Sequence, residues 1–548
     1  MNFNNKFLYY RAEIGSITLS MLVSLYILGI MNRTFFSKMY ENFHHSILLT
    51  AILAIILFCL FTAFTTMLSV KYIIKPIFIL LILIGSVTSW FTDKFGVIID
   101  EDMIRNVLES THAEVKALVT VPFLIYVFVT GIIPSILFFF LRVRHRNWWP
   151  KVAYNAAIII FLLVVSVVTT FSFSKQLIPT IRAYRYAMHT INPFTAIISA
   201  IKYKFSYKNI NNIVVMPIGT DAKVDGVPLI NHNPRVLIVV AGETARANNF
   251  SLGGYKKETN PELSKRNVLY FDNTNSCGTV TEVSIPCMFS IYPKSEYSFK
   301  KGRTTETLPD VLHHAGIYVE WWDNNTGSKD VAKRIKNVLF FNSKSPRFCN
   351  EGECQDGIML DKIGEWLDNV KTDSVLFLHQ LGSHGPAYYR RYPDNFRHFQ
   401  PECREKDFNN CSMEAVRNAY DNTILYTDYF LSKLIDELVL RSQKMSGAIF
   451  YMSDHGESLG EGGLFLHGTP YMFAPRMQTH IPFVIWMSPD FSKTASIDQE
   501  CIKRTKLHKE HSHDNLFHSV LSMMNVNTSI KNRKLDIFAD CKENNNIK

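Results

Sequence analysis

Five long apolar runs near the start of the chain constrain what this sequence can fold into. They cover residues 14–31, 46–70, 76–91, 117–141 and 152–173. A helix needs roughly 20 predominantly apolar residues to cross a bilayer, and these runs meet or approach that length. The first has no small-residue cleavage site and further spans follow it, so it reads as a span and not as a removable leader. The whole chain has 548 residues, too many for one compact core. Its mean hydropathy of +0.03 is what an apolar part joined to a polar part would average.

Lysines and arginines at the span ends set an orientation. Lys6 and Arg11 precede the first run, Lys71 and Lys75 join the second to the third, and Arg142, Arg144, Arg146 and Lys151 join the fourth to the fifth. These segments belong on the cytoplasmic side. Five spans then place everything after residue 173 outside. Cysteine usage points the same way. Cys59 lies in a span, and the other eight cysteines all follow the last span, as disulfides in an oxidising compartment would. Spacing alone leaves their pairing open. The net charge of +10 suits an anionic lipid surface; the basic residues are scattered, and no nucleic-acid module is present.

The chain divides into a transmembrane domain (1–173), a bridge (174–233), an α/β domain (234–541) and a polar tail (542–548) expected to be disordered. The bridge mixes Lys175, Arg182, Arg185, Lys202 and Lys204 with Tyr184, Tyr186, Phe194, Tyr203 and Phe205. That pattern fits an interfacial helix or an ordinary amphipathic linker. From Arg235 on, short β-branched and aromatic runs at 236–240, 317–321, 375–379, 448–452 and 482–486 alternate with helical patterns such as 359–370 and 413–441. Such alternation predicts a largely parallel sheet, with ligand sites beyond the carboxyl ends of its strands.

Three predicted strand ends lead straight into groups that bind metals. Run 236–240 leads to Glu243, run 448–452 to Asp454 and His455, and run 375–379 to His384. Carboxylate and imidazole donors from neighbouring strand ends can converge on one cation. Gly242 and Gly456 predict close backbone approach beside them. Residues 276–287 form a hydroxyl-rich stretch flanked by Cys277 and Cys287. A threonine there becomes a nucleophile once a metal or base lowers its pKa, and a following helix would favour a phosphate at its N-terminus.

Four motifs carry a resemblance: Gly-Glu-Thr-Ala-Arg at 242–246; Ser-Cys-Gly-Thr-Val-Thr at 276–281 with Pro-Cys-Met-Phe-Ser at 286–290; Gly-Ser-His-Gly-Pro-Ala-Tyr at 382–388; and Ser-Asp-His-Gly-Glu-Ser-Leu-Gly-Glu at 453–461. Taken together with the five spans, the sequence resembles the lipid A phosphoethanolamine transferases, the family that includes the mobile colistin-resistance enzymes. The resemblance covers nearly the whole chain. It implies a five-helix transmembrane domain and an alkaline-phosphatase-like, sulfatase-related catalytic domain. Thr281 matches the nucleophile. Glu243, Asp454 and His455, with Thr281, match the ligands of a catalytic zinc. His384 and His467 match histidines that bind phosphate or a second zinc and move protons. Thr326 and Lys329 match donor-phosphate contacts. Asn106, Ser110 and Glu114 match positions around the ethanolamine, with Ser110 standing where the family often has Thr. The cysteine pairs 277/287, 349/354 and 403/411 match family disulfides; Cys501 and Cys541 would make a fourth pair, which the resemblance implies less directly because members differ in their number of bridges.

What the resemblance implies is a monomeric enzyme of the bacterial inner membrane with its catalytic domain in the periplasm. It would move phosphoethanolamine from phosphatidylethanolamine through a phospho-threonine to a lipid A phosphate, lowering polymyxin binding by masking charge. Transfer to lipopolysaccharide core or another glycan, and a phosphoglycerol transferase or sulfatase-like hydrolase, are alternatives on the same fold. A catalytically silent membrane lipid sensor or scaffold is a third reading; it predicts degraded metal ligands, and every ligand type is present.

Overall fold

The computed structural model describes residues 13–110, 115–116, 118–208, 214–225, 233–350, 352–405 and 408–542. Lys6, Arg11 and Glu114, the parts of the expected bridge at 209–213 and 226–232, and nearly all of the expected tail lie outside the described residues. The chain divides into two compact units, Met1–Ile104 with Val119–Tyr203, and Arg105–Leu118 with Lys204–Lys548.

The first unit is helical. It contains α1 (Ser16–Met31), α2 (Arg33–Asn42), α3 (Ile47–Met67), α4 (Ile74–Phe95), α5 (Glu101–Glu109, whose last turn belongs to the second unit), α6 (Val121–Phe140) and α7 (Trp148–Ser172). Among the described residues, α3, α4, α6 and α7 are each long and apolar enough to cross a membrane; a fifth span is counted if α1 and α2, bent by 69°, form one. The first expected span thus differs from the others. Its helix has 16 residues, and at ~1.5 Å per residue it falls short of the ~30 Å hydrocarbon core. The break lies at Asn32, which is 1% exposed. Its amide donates to the carbonyls of Ile27 and Asn192 and accepts from the Asn192 amide, so the polar groups freed by the break are paired inside the unit. Hydroxyls join the apolar helices at close contacts, Ser24 to Thr65 (3.1 Å) and Ser86 to Thr130 (2.7 Å).

The second unit is built on an eight-stranded sheet. Its strands are β1 (Arg235–Gly242), β2 (Leu269–Asn275), β3 (Tyr318–Asp323), β4 (Lys336–Leu339), β5 (Ser374–His379), β6 (Ser446–Ser453), β7 (His480–Met487) and β8 (His511–Ser512), in the spatial order β8-β2-β7-β6-β1-β5-β3-β4. β6, β1, β5, β3 and β4 run parallel; β7 is antiparallel to both β6 and β2. The sheet is therefore mixed, with five parallel strands carrying the expected pattern.

Both faces of the sheet are covered, which explains why its strands read as continuous apolar runs. Leu237, Val239 and Ala241 of β1 pack with Phe377 and Phe450 on one face; Val236, Ile238 and Val240 pack with Leu378 and Ile449 on the other. The second face is closed by α8 (Gly357–Asp368) and the 28-residue α9 (Met413–Leu440), which starts where the Ser412 hydroxyl accepts from the Ala415 amide. Disulfides join Cys277 to Cys287, Cys349 to Cys354, Cys403 to Cys411 and Cys501 to Cys541, and Cys59 is a buried free thiol. Peptide mapping under non-reducing conditions should recover these four links, with Cys59 alkylated only after denaturation; a cross-link between two of the four loops would contradict the pairing.

Candidate active site

Register decides which side chains meet. In the β1–β6 ladder Ser453 is paired with Gly242, so Glu243 and Asp454, the next residue on each strand, emerge side by side at the carboxyl edge. The Asp454 amide donates to the Gly242 carbonyl (2.8 Å), which extends the ladder by one bond. Two glycines admit the backbones that crowd this edge. Gly382 has φ +50°, and a Cβ there would lie 2.7 Å from the Glu243 carbonyl; a Cβ on Gly456 would collide with the Met477 carbonyl. Thr281 is delivered from the other direction. It is the first residue of α10 (Thr281–Met288), reached through the extended Val280 and bracketed by the Cys277–Cys287 disulfide.

Glu243, Asp454 and His455 are fully buried, and their ligand atoms all lie within 4.8 Å of one another. His455 Nε2 is 3.5 Å from Glu243 Oε1 and 3.3 Å from Asp454 Oδ2. The Thr281 hydroxyl lies 3.2 and 3.3 Å from the Glu243 carboxylate oxygens and 3.5 Å from His455 Nε2. These groups fit a divalent cation on three grounds. Asp454 Oδ1 accepts from the Thr244 and His455 amides, while Oδ2, in a group with no solvent exposure, has no hydrogen-bond partner. His455 Nδ1 donates to the Gly456 carbonyl (2.9 Å), which leaves the Nε2 lone pair facing the carboxylates. Burial pushes His455 well below the usual imidazole range and Asp454 above the usual carboxylate range, as expected of donors packed together without their counter-charge.

A second layer aims Glu243. Its Oε2 accepts from Asn325 Nδ2 at 2.7 Å and lies 4.0 Å from His379 Nε2. Both neighbours are organised by Asp323 at the end of β3. This carboxylate accepts from His379 Nδ1 (2.9 Å), Trp321 Nε1 (2.9 Å) and the amides of Asn325 and Gly327. Burial opposes its ionisation, but His379 and these donors hold it below the usual carboxylate range. His513 braces the nucleophile loop: its Nδ1 accepts from the Cys277 amide (3.0 Å) and its Nε2 donates to the Ser453 carbonyl (2.8 Å).

His467 lies beside the cluster, its ring 4.5 Å from that of His455 and 5.4 Å from that of His384. Its Nδ1 donates to Glu457 (2.8 Å), whose other oxygen accepts from the Tyr388 hydroxyl (2.7 Å). Thr326 is half-buried in the turn that follows Asn325. Lys329 is buried and ion-paired to Glu282, and its Nζ is 3.8 Å from Glu109. Arg303 bridges Glu109 (3.5 Å) and Asp330. Burial is the main force raising the Glu282 carboxyl; Lys329 opposes it and Glu109 adds to it. Asn106 and Ser110 are bonded to each other, the Ser110 hydroxyl donating to the Asn106 carbonyl at 2.8 Å. Glu114 lies outside the described residues.

Sequence reasoning gave no individual role to Glu109, Glu282, Asp323, Asn325, His379, Glu457 and His513. Three had a local signal: Glu282 follows Thr281 directly, Asn325 sits beside Thr326 in Asp-Asn-Asn-Thr, and Glu457 stands in the 453–461 motif. The others become visible only once segments far apart in sequence are brought together.

With this geometry in place, comparison with known proteins decides the family. A model of the Sulfatase family matches residues 235–526, and one described as phosphoethanolamine transferase EptA/EptB matches residues 57–206. The chain is 34% identical over 540 residues to the phosphoethanolamine transferase EptA of Salmonella typhimurium, covering 97% of this chain and 98% of that one. The chain belongs to the phosphoethanolamine transferase family. It is also 34% identical over 490 residues to the phosphatidylethanolamine transferase Mcr-1 from Escherichia coli, covering 87% of this chain and 91% of that one. The solved integral membrane lipooligosaccharide phosphoethanolamine transferase A from Neisseria meningitidis matches with a TM-score of 0.93 at 31% identity, covering 97% of this chain and all of that one. Like its relatives, the chain is an enzyme that joins apolar N-terminal helices to a sulfatase-like domain.

Asp323→Ala would strip His379 and the 325–327 turn of their shared acceptor and loosen Glu243. Supporting groups of this kind are worth roughly 10–100-fold in metal affinity. Chelator competition on the purified, folded protein should show a loss in that range; unchanged affinity would remove Asp323 from this role.

Proposed function

We propose that this chain transfers phosphoethanolamine from phosphatidylethanolamine to a phosphate of lipid A, through a covalent adduct on Thr281. The observation that carries the reading is the Thr281 hydroxyl, buried and within 3.5 Å of both Glu243 and His455 at the first turn of α10. The family relationship supports the donor and acceptor. Zinc is the metal that the two carboxylates, the imidazole and the hydroxyl suit, with one site formed by Glu243, Thr281, Asp454 and His455, and His384 and His467 as ligands for the phosphate or a second metal. When bound, such an ion lowers the pKa of the hydroxyl and withdraws charge from the phosphoryl oxygens.

The chain's own residues do the rest. In the first half-reaction Thr281 Oγ1 passes its proton to Glu243, the carboxylate that accepts its hydrogen bond, and attacks the donor phosphorus while the bond to the diacylglycerol oxygen breaks. His467, held through Nδ1 by Glu457, presents Nε2 to supply the proton that the leaving oxygen takes. The N-terminal turn of α10 places its dipole on the phosphoryl group. Thr326 and Lys329 orient the donor phosphate. In the second half-reaction a protonated lipid A phosphate oxygen gives its proton to His467 and attacks the adduct; the bond from phosphorus to Thr281 Oγ1 breaks and the hydroxyl takes its proton back from Glu243. Asn106, Ser110 and Glu114 belong to the donor side near the ethanolamine. Because both substrates are lipids, anchoring the chain in the membrane by its apolar helices supplies proximity. We place the chain in a bacterial inner membrane with the catalytic unit in the periplasm, and take one chain as the working unit because the metal donor set is complete within it.

Mass spectrometry of lipid A from cells expressing the chain should show added phosphoethanolamine, and the purified protein incubated with donor alone should carry the adduct on Thr281. Thr281→Ala should abolish both signals. Thr281→Ala enzyme that still modifies lipid A would sink the covalent route; unmodified lipid A with an adduct still forming on Thr281 would move the acceptor to core sugar or another glycan.

A further inference from the structure

We infer that the Lys329–Glu282 ion pair beside Thr281 reads the donor headgroup as a zwitterion: Lys329 turns to the phosphodiester and Glu282 takes the primary ammonium. The inference rests on the proposed transfer from phosphatidylethanolamine and adds the residue that selects the headgroup.

Glu282 is 2% exposed and pairs through Oε1 with Lys329. Its Oε2 accepts from no N–H donor, and the group facing it is another carboxylate, Glu109. A buried carboxylate oxygen left without a donor is costly, and a site that binds a cation there recovers that cost. The ion pairs of the cluster tell the same story. Glu109, Glu282 and Asp330 are linked to two cations, Lys329 and Arg303. The linked set is one positive charge short. If Lys329 swings to a phosphodiester, Glu109 and Asp330 keep Arg303, and Glu282 is the carboxylate left without a cation. The donor brings the missing charge itself.

Position fits this exchange. Thr281 and Glu282 are consecutive, with Cα atoms ~3.8 Å apart, and an ethylene link is all that separates the phosphate of phosphatidylethanolamine from its ammonium. A headgroup whose phosphorus is at the Thr281 hydroxyl therefore has its ammonium within side-chain reach of residue 282. In the resting site Lys329 stands in for that ammonium. An anionic headgroup with no ammonium would free Lys329 and leave Glu282 buried and unpaired, so selection against it comes from the same residue.

The test compares two donors that differ only in this charge, phosphatidylethanolamine and phosphatidylethanol, presented to the full chain in mixed micelles, with diacylglycerol release as the readout. A charge-assisted contact predicts a wild-type preference of at least about tenfold in kcat/KM, expressed mainly in KM. Glu282→Gln should erase most of that preference, lowering kcat/KM for phosphatidylethanolamine and raising it for phosphatidylethanol, and Glu282→Asp, which keeps the charge, should keep the preference. A preference that survives Glu282→Gln, or a wild-type enzyme indifferent to the ammonium, overturns the inference. So does loss of both activities in a Glu282→Gln protein whose thermal transition is unchanged, since that assigns Glu282 to the chemical step. A wild-type chain that releases no diacylglycerol from phosphatidylethanolamine overturns the proposed function, and this inference with it.

Discussion

The parallel pairing of β1 with β6 is what the rest of the site depends on. That ladder sets Glu243 and Asp454 at the same height on the carboxyl edge, and everything else is arranged around the pair. A slip of one residue would send Asp454 to the opposite face and leave its carboxylate in the core. Burial on both faces prevents the slip, because each strand offers an apolar row to each side. The same packing that gives the domain its stability therefore also fixes the spacing of the donor groups.

Charge at this edge is arranged in tiers. The carboxylates nearest Thr281 are desolvated and held by a few donors, so each is poised for a cation. Behind them, Asp323 and Glu457 are fully hydrogen-bonded and hold His379 and His467 in fixed orientations. Beyond these, Lys329, Arg303, Glu282 and Glu109 form an ionic cluster that draws in the last turn of α5. Reactivity is concentrated where partners are fewest, and rigidity is supplied from where they are most complete.

Much of this was legible in the sequence. The apolar runs marked the helices that TM-type length and composition single out, because a bilayer imposes a length that no other environment does. Glu243, Asp454 and His455 could be found since each follows an apolar strand run at once, and parallel sheets gather such positions. Three things were hidden. The break at Asn32 depends on pairing with Asn192, far along the chain. The reversed direction of β7 leaves no mark on its composition, since an antiparallel strand buried on both faces looks like a parallel one. His379 and Asp323 close neighbouring strands, and nothing in either segment says that the two residues face each other until the strands are paired.

The Cys277–Cys287 bridge gives the enzyme a sense of place. The nucleophile follows shortly after the first of these cysteines, on a segment whose other anchor is the bond from the Cys277 amide to His513. Closing a short loop of this kind is worth roughly 2–4 kcal/mol in chain entropy, and it persists only where thiols stay oxidised. Where thiols are reduced the segment that carries Thr281 loses this closure and keeps only the bond to His513, so the redox state of the compartment bears on how firmly the hydroxyl is held.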